Sequence, residues 1–287
     1  MNDKMKNLWV RSVSGAVLVV VVLGAILWSK WSFAALLMAI LIGGEWEFYR
    51  MAQKAGYAPQ KVLGFVAGAI ILMVAFILMW LLDDSTTVSS QYLIIAVGLA
   101  LYIMMLIPVM FICELYRKSP TPIANIGSTL MGVVYVAMPL ALLFFIPLLL
   151  GRGVWNPWAL IFYIFIIWAN DVCAYLVGMS IGKHRLFQRI SPKKSWEGFI
   201  GGLVGAMAMG YVASTFMEGT HAIWIGMALI AAITGVFGDL VESLLKRSVD
   251  VKDSGNILPG HGGWLDRFDA LLLSIPFVFI YLVFCID

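Results

Sequence analysis

Between Ser243 and Asp269 the chain reads Ser243-Leu-Leu-Lys246-Arg247, then Lys252-Asp253-Ser-Gly255, then Pro259-Gly-His261-Gly262-Gly263-Trp-Leu-Asp266-Arg267-Phe-Asp269. Acids, bases and glycines share this one segment, and almost wholly apolar runs flank it. A chain that is 62% hydrophobic and 12% charged concentrates charge in this way to handle something charged. Lys246, Arg247, Lys252 and Arg267 offer positive charge to phosphate groups, the arginines in bidentate fashion. Gly255, Gly260, Gly262 and Gly263 permit close backbone approach and phosphate-facing N–H groups. The bland alternative is that the bases only flank membrane spans.

Asp239 precedes this segment inside an apolar run. A carboxylate within a span needs a cation, a metal or water, and by default marks a functional site. Asp239, Ser243 and Lys246 follow i, i+4, i+7 spacing and share one helix face. Asp239 is therefore either half of an ion pair with Lys246 or Arg247, or a metal ligand with phosphate-binding neighbours. Asp266 and Asp269 open the next apolar run at i, i+3. Either acid alone could serve as a helix N-terminal cap. Together with Asp239 they form the oxygen-donor type that holds Mg²⁺, an ion bound by few carboxylates plus substrate phosphates. The expectation is a metal bound by Asp239, Asp266 and Asp269, clamped between two helix ends.

A second polar segment, Ser191-Pro192-Lys193-Lys194-Ser195-Trp196-Glu197-Gly198, carries two lysines beside a helix start. Ser191-Pro192 or Ser195 would cap that helix. Lysines there oppose the helix dipole unless an anion lies between them. Asn170 and Asp171 form a further polar pair deep in an apolar run. They either line the site or hydrogen-bond to neighbouring helices.

These residues are positioned by membrane helices. Apolar runs of spanning length recur at about 12–29, 32–49, 62–82, 91–113, 128–150, 157–178, 198–217, 222–243 and 270–286. The fold class is all-α, a polytopic integral membrane bundle of about nine helices. With the N-terminus cytoplasmic, 17 of the 19 Lys and Arg residues fall on the cytoplasmic side, leaving only Lys30 and Arg152 outside. The first span lacks a small-residue cleavage site and reads as a retained helix. Residues 1–150 read as N-terminal scaffold helices whose charges are ordinary membrane flanks. Residues 151–287 carry the site on cytoplasmic loops 179–197 and 244–269. Gly198, Gly201, Gly202 and Gly205 make small-residue faces for close helix packing. Cys113, Cys173 and Cys285 lack metal-ligand spacing. The net charge of +3 says little about partners, because its distribution is explained by topology, and nucleic acid is not indicated.

The run from Ser243 to Asp269 closely resembles the signature of phosphatidate cytidylyltransferases, also called CDP-diacylglycerol synthases. Ser191 to Gly198 and Asn170-Asp171 are similar to that family as well. Trp264 departs from the pattern, standing where an aliphatic residue is expected. The resemblance implies transfer of CMP from CTP to phosphatidic acid, giving CDP-diacylglycerol and pyrophosphate, with Mg²⁺ required and a second cation left open. The setting expected is a bacterial inner membrane, with the lipid bilayer as partner; a homodimer is the further expectation, because the N-terminal spans lack site residues and need another role.

In the roles that follow, Asp239, Asp266 and Asp269 serve the metal. Lys193, Lys246, Arg247, Lys252 and Arg267 hold the triphosphate and the lipid headgroup. Ser195 and His261 donate hydrogen bonds. Asn170, Asp171, Lys194, Ser243, Asp253, Gly262 and Gly263 complete the substrate site. Two other readings compete. A transferase using a CDP-lipid would carry an Asp-x-x-Asp-Gly cluster, and Asp266-x-x-Asp269 alone matches it weakly. An ion or solute transporter would need a charged route outward, whereas the polar residues gather on one face. Absence of an internal repeat also weighs against transport.

Overall fold

The computed structural model describes residues 3–83, 90–217, 219–255 and 262–285. Its helices are α1 (Asp3–Trp28), α2 (Lys30–Lys54), α3 (Lys61–Leu82), α4 (Ser90–Arg117), α5 (Pro122–Gly132), α6 (Met138–Leu143), α7 (Ile146–Leu150), α8 (Pro157–Ile181), α9 (Trp196–Phe216), α10 (His221–Ser248) and α11 (Leu265–Cys285). A π-helical turn, Val133–Ala137, joins α5 to α6. Among the described residues, eight helical stretches are long and apolar enough to cross a membrane, and α1 adds the shorter apolar stretch Ser12–Trp28. The chain is an integral membrane helical protein, as its composition requires.

The apolar runs become helices because a bilayer offers backbone groups no other partner. Short polar caps mark where each begins. Ser29 and Ser32 form a reciprocal capping box at the start of α2. Asn156 caps α8 ahead of Pro157, and Thr220 caps α10. The span expected at 128–150 is not one regular helix. Pro139 lacks the N–H that would continue the ladder, and the preceding turn widens to π geometry. Pro147 then sits in the first turn of α7.

The chain divides into two compact units, Met1–Phe144 with Asp253–Asp266, and Phe145–Lys252 with Arg267–Asp287. In the first, α2 and α3 pack around Phe33, Leu37, Leu41, Tyr49 and Met79, all buried. Phe144 meets both Phe33 and Phe76 with ring centroids 5.5 Å apart. Lys30, one of the two bases expected outside, pairs with Asp83. Residues 253–266, expected with the C-terminal half, group instead with this N-terminal unit.

In the second unit α8 packs along α9, and α10 packs on both. The α9 glycines make that contact: a side chain at Gly202 would strike Asn170 and Ala174, and one at Gly205 would strike Cys173. The Tyr163 hydroxyl lies 2.7 Å from that of Ser274 on α11. The segment expected as loop 179–197 contains a small antiparallel hairpin, β1 (Arg185–Phe187) with β2 (Ser191–Ser195). Of the two expected helix starts, Ser195 is the one that caps, accepting from the N–H of Gly198 at 3.1 Å. Ser191 belongs to the strand.

Candidate active site

The second unit gathers acids around one lysine. Lys194, at the end of β2, places its Nζ 2.6 Å from Oδ2 of Asp239 and 3.4 Å from the carbonyl of Val236. Ser243, one turn after Asp239 on α10, donates to its Oδ1 at 3.3 Å. Asp171 of α8 and Asp269 of α11 lie within electrostatic range of both Lys194 and Asp239. Asn170 donates to Asp171 at 3.4 Å. Gly238 lets α10 lie against the α11 backbone, because a side chain there would strike the Asp269 carbonyl and Ala270.

Asp239, Glu242 and Asp269 each present one carboxylate oxygen, and these oxygens lie within 4.8 Å of one another. Like charges at that separation repel unless cations neutralise them. Lys194 neutralises Asp239, and Lys246 pairs with Glu242 one turn away on α10. The structural alternative for Asp239 anticipated Lys246 or Arg247 as partner; the partner observed is Lys194. Arg247 donates to the Val251 carbonyl at 3.3 Å, closing the end of α10. Lys193 and Lys252 are exposed, as is Arg267. Hard oxygen donors surrounded by bases are suited to a small divalent cation with phosphate ligands.

The first unit builds a loop around two other acids. Oδ2 of Asp266 accepts from Ser254 N at 2.9 Å and Gly263 N at 2.8 Å, and Ser254 Oγ lies 2.9 Å from it. Glu47, on α2 and 1% exposed, accepts from Trp264 N at 2.9 Å through Oε1. Its Oε2 accepts from Leu265 N at 3.0 Å and Ser254 Oγ at 2.7 Å. Free N–H groups at the start of α11 thus end on a buried carboxylate. Gly255 and Gly263 permit this, because a side chain at either would strike the Glu47 carboxylate. Gly262 adopts φ +79°, a left-handed conformation that suits glycine. Asp253 is exposed at the start of the loop. His261 and Gly260 lie outside the described residues. Trp264, the departure from the expected motif, lies against Gly43 of α2, where a side chain would collide with the indole.

The structure therefore sorts the three expected metal ligands. Asp239 and Asp269 share a cluster with Glu242, whereas Asp266 directs one oxygen to the backbone N–H groups of Ser254 and Gly263.

The cytidylyltransferase family model matches residues 9–285, nearly the whole chain. The chain belongs to the cytidylyltransferase family. It is 33% identical to a phosphatidate cytidylyltransferase of Haemophilus influenzae over 297 positions, covering 96% of this chain and 98% of that protein. It is 49% identical over 120 residues to the Bacillus subtilis protein of the same name, a match covering 41% of this chain and 44% of the relative. A Staphylococcus aureus counterpart is 48% identical over 120 residues, covering 41% and 46% respectively. For these last two relatives the match spans a little under half of their length.

Two acids, one in each unit, escaped the sequence reading. Glu242 stands three residues after Asp239 on the same apolar helix, a spacing that would have exposed it. Glu47 lies in a scaffold span at a membrane-flank position, and no local pattern connects it to a loop 207 residues later.

Proposed function

We propose that this chain transfers a cytidylyl group from CTP to the phosphate of phosphatidic acid. An oxygen of the lipid phosphate forms a new bond to the α-phosphorus of CTP. The bond from that phosphorus to the bridging oxygen breaks, and pyrophosphate leaves with the electron pair. CDP-diacylglycerol remains in the membrane. The attacking oxygen is already ionised near neutral pH, so the reaction needs no side chain to remove a proton. It needs in-line alignment and neutralised charge.

The observation that carries this reading is the Lys194–Asp239 contact within a cluster of acids from α8, α10 and α11. Family membership and the activity named for its relatives support it. Asp239, Glu242 and Asp269 would hold Mg²⁺, which when bound supplies positive charge to the triphosphate. Asp266 ties the backbone of Ser254 to that of Gly263. Lys194 balances the acids, and Lys193, Lys246, Arg247, Lys252 and Arg267 supply positive charge to the two anionic substrates. The 17-to-2 distribution of basic residues supports a site facing the cytoplasm of a bacterial inner membrane, where CTP is available.

The test uses purified protein in detergent micelles with α-phosphate-labelled CTP, Mg²⁺ and phosphatidic acid. Label should enter the lipid phase as CDP-diacylglycerol, and not when diacylglycerol replaces phosphatidic acid. Absence of a CDP-lipid with the full mixture would overturn the reading. Release of CMP from supplied CDP-diacylglycerol by a phospho-alcohol would favour the competing transferase.

A further inference from the structure

We infer that the first unit binds an anionic glycerophospholipid in a cavity between α3 and α4, a site using no residue of the carboxylate cluster. The cavity has a volume of about 760 Å³, and Gln60, Lys61, Val66, Cys113, Tyr116 and Arg117 are among its lining residues. That volume lies within the range of sites that take discrete ligands, roughly 300–1,000 Å³.

Its two cations are held in place. Lys61 carries its Nζ 4.8 Å from the centroid of the Trp46 ring and has no carboxylate partner among the described residues. Arg117 donates through Nη1 to Glu114 at 2.9 Å. Glu114 is itself fixed, accepting from Gln60 Nε2 at 2.6 Å and Asn125 Nδ2 at 2.7 Å. Gln60 also donates to the Met110 carbonyl at 3.0 Å. This buried network orients the guanidinium and leaves its remaining N–H groups without an acceptor among the described residues. An ordinary membrane-flank base would instead move freely at the interface. Counting Glu114, the cavity keeps a net positive charge, and its pre-set cations lose little entropy on binding an anion.

The occupant is a lipid because most of the remaining lining is apolar and exposed, on helices of membrane-spanning length. Val62 is 77% exposed and Tyr116 is 83% exposed, both on helices that cross the membrane. A soluble anion would satisfy the cations and leave this wall uncovered. A glycerophospholipid satisfies both, with its phosphate on Lys61 and Arg117 and its acyl chains along Val62, Val66 and Tyr116.

The test is native mass spectrometry of the whole protein, released from micelles containing either dioleoyl phosphatidylglycerol or dioleoyl phosphatidylcholine. Wild-type protein should retain phosphatidylglycerol and shed phosphatidylcholine. Lys61→Gln removes the unpaired cation without touching the Glu114 network, and retention of phosphatidylglycerol should fall about fivefold. Val66→Trp keeps both cations and fills the cavity, and should cause the same loss. Equal retention of the two lipids by wild type, or wild-type retention by both variants, would overturn the proposal. The readout is bound lipid alone, so it stands or falls separately from cytidylyl transfer.

Discussion

Glu47 accepts a 2.7 Å hydrogen bond from the Ser254 hydroxyl, although 207 residues separate them. The same carboxylate takes the backbone N–H groups of Trp264 and Leu265. Glu47→Gln keeps the shape but turns an amide donor toward groups that also donate. A buried donor left unsatisfied costs about 1–3 kcal/mol. Hydrogen exchange at Trp264 and Leu265 should accelerate, and CMP transfer should fall by roughly tenfold or more, the equivalent of 1.4 kcal/mol. Unchanged exchange at those amides would show that Glu47 does not organise the loop.

Asp239, Glu242 and Asp269 should bind a divalent ion, and that binding should be visible as stability. A ligand that binds only the folded state adds stability by RT ln(1 + [L]/Kd). The melting temperature of wild-type protein in detergent should therefore rise with Mg²⁺ concentration, and chelation should reverse the rise. Asp269→Asn should flatten that response and abolish transfer. A variant that still gained the full Mg²⁺-dependent stability would remove Asp269 from the cation site.

Lys194 offers a test of charge balance. Its ammonium lies 2.6 Å from Asp239 and within range of Asp171 and Asp269. Lys194→Met leaves these acids facing one another, so the metal-free protein should melt at a lower temperature and transfer should fall about a hundredfold. Lys194→Arg keeps the charge and should recover part of both. Breaking a buried ion pair costs about 3–5 kcal/mol, and a part-exposed pair such as this one costs less. Equal stability of Lys194→Met and wild type would mean the acids are neutralised by other groups.

The spans and the basic segments were legible in the sequence because both follow from local physics. Membrane length sets the apolar runs, and the bases gather in the segments between them. Asp239 stood out because a charge in an apolar run is conspicuous. Asp266 looked identical to Asp269 at i, i+3, and only the folded chain separates their surroundings. Trp264 looked like a misfit until Gly43 supplied its space. Glu47 was illegible because its meaning depends on a loop distant in sequence. The break in the span at 128–150 was signalled by Pro139 and Pro147, which an apolar count passes over.

Gly238 should control the approach of α10 to α11. Its bare Cα faces the carbonyl of Asp269, and an added methyl would lie 3.0 Å from the Ala270 Cα. These are backbone atoms, which cannot swing aside as a side-chain tip would. Gly238→Ala must therefore push the helices apart, and with them Asp239 and Asp269. Overpacking of this kind typically costs about 1–3 kcal/mol. The expected result is a lower melting temperature, a weaker Mg²⁺ response and transfer reduced more than stability alone explains. Gly24→Ala, where an added methyl meets nothing within 4 Å, is the matched control and should behave as wild type. If Gly238→Ala kept the Mg²⁺ response of that control, the spacing of the two acids would not depend on this contact.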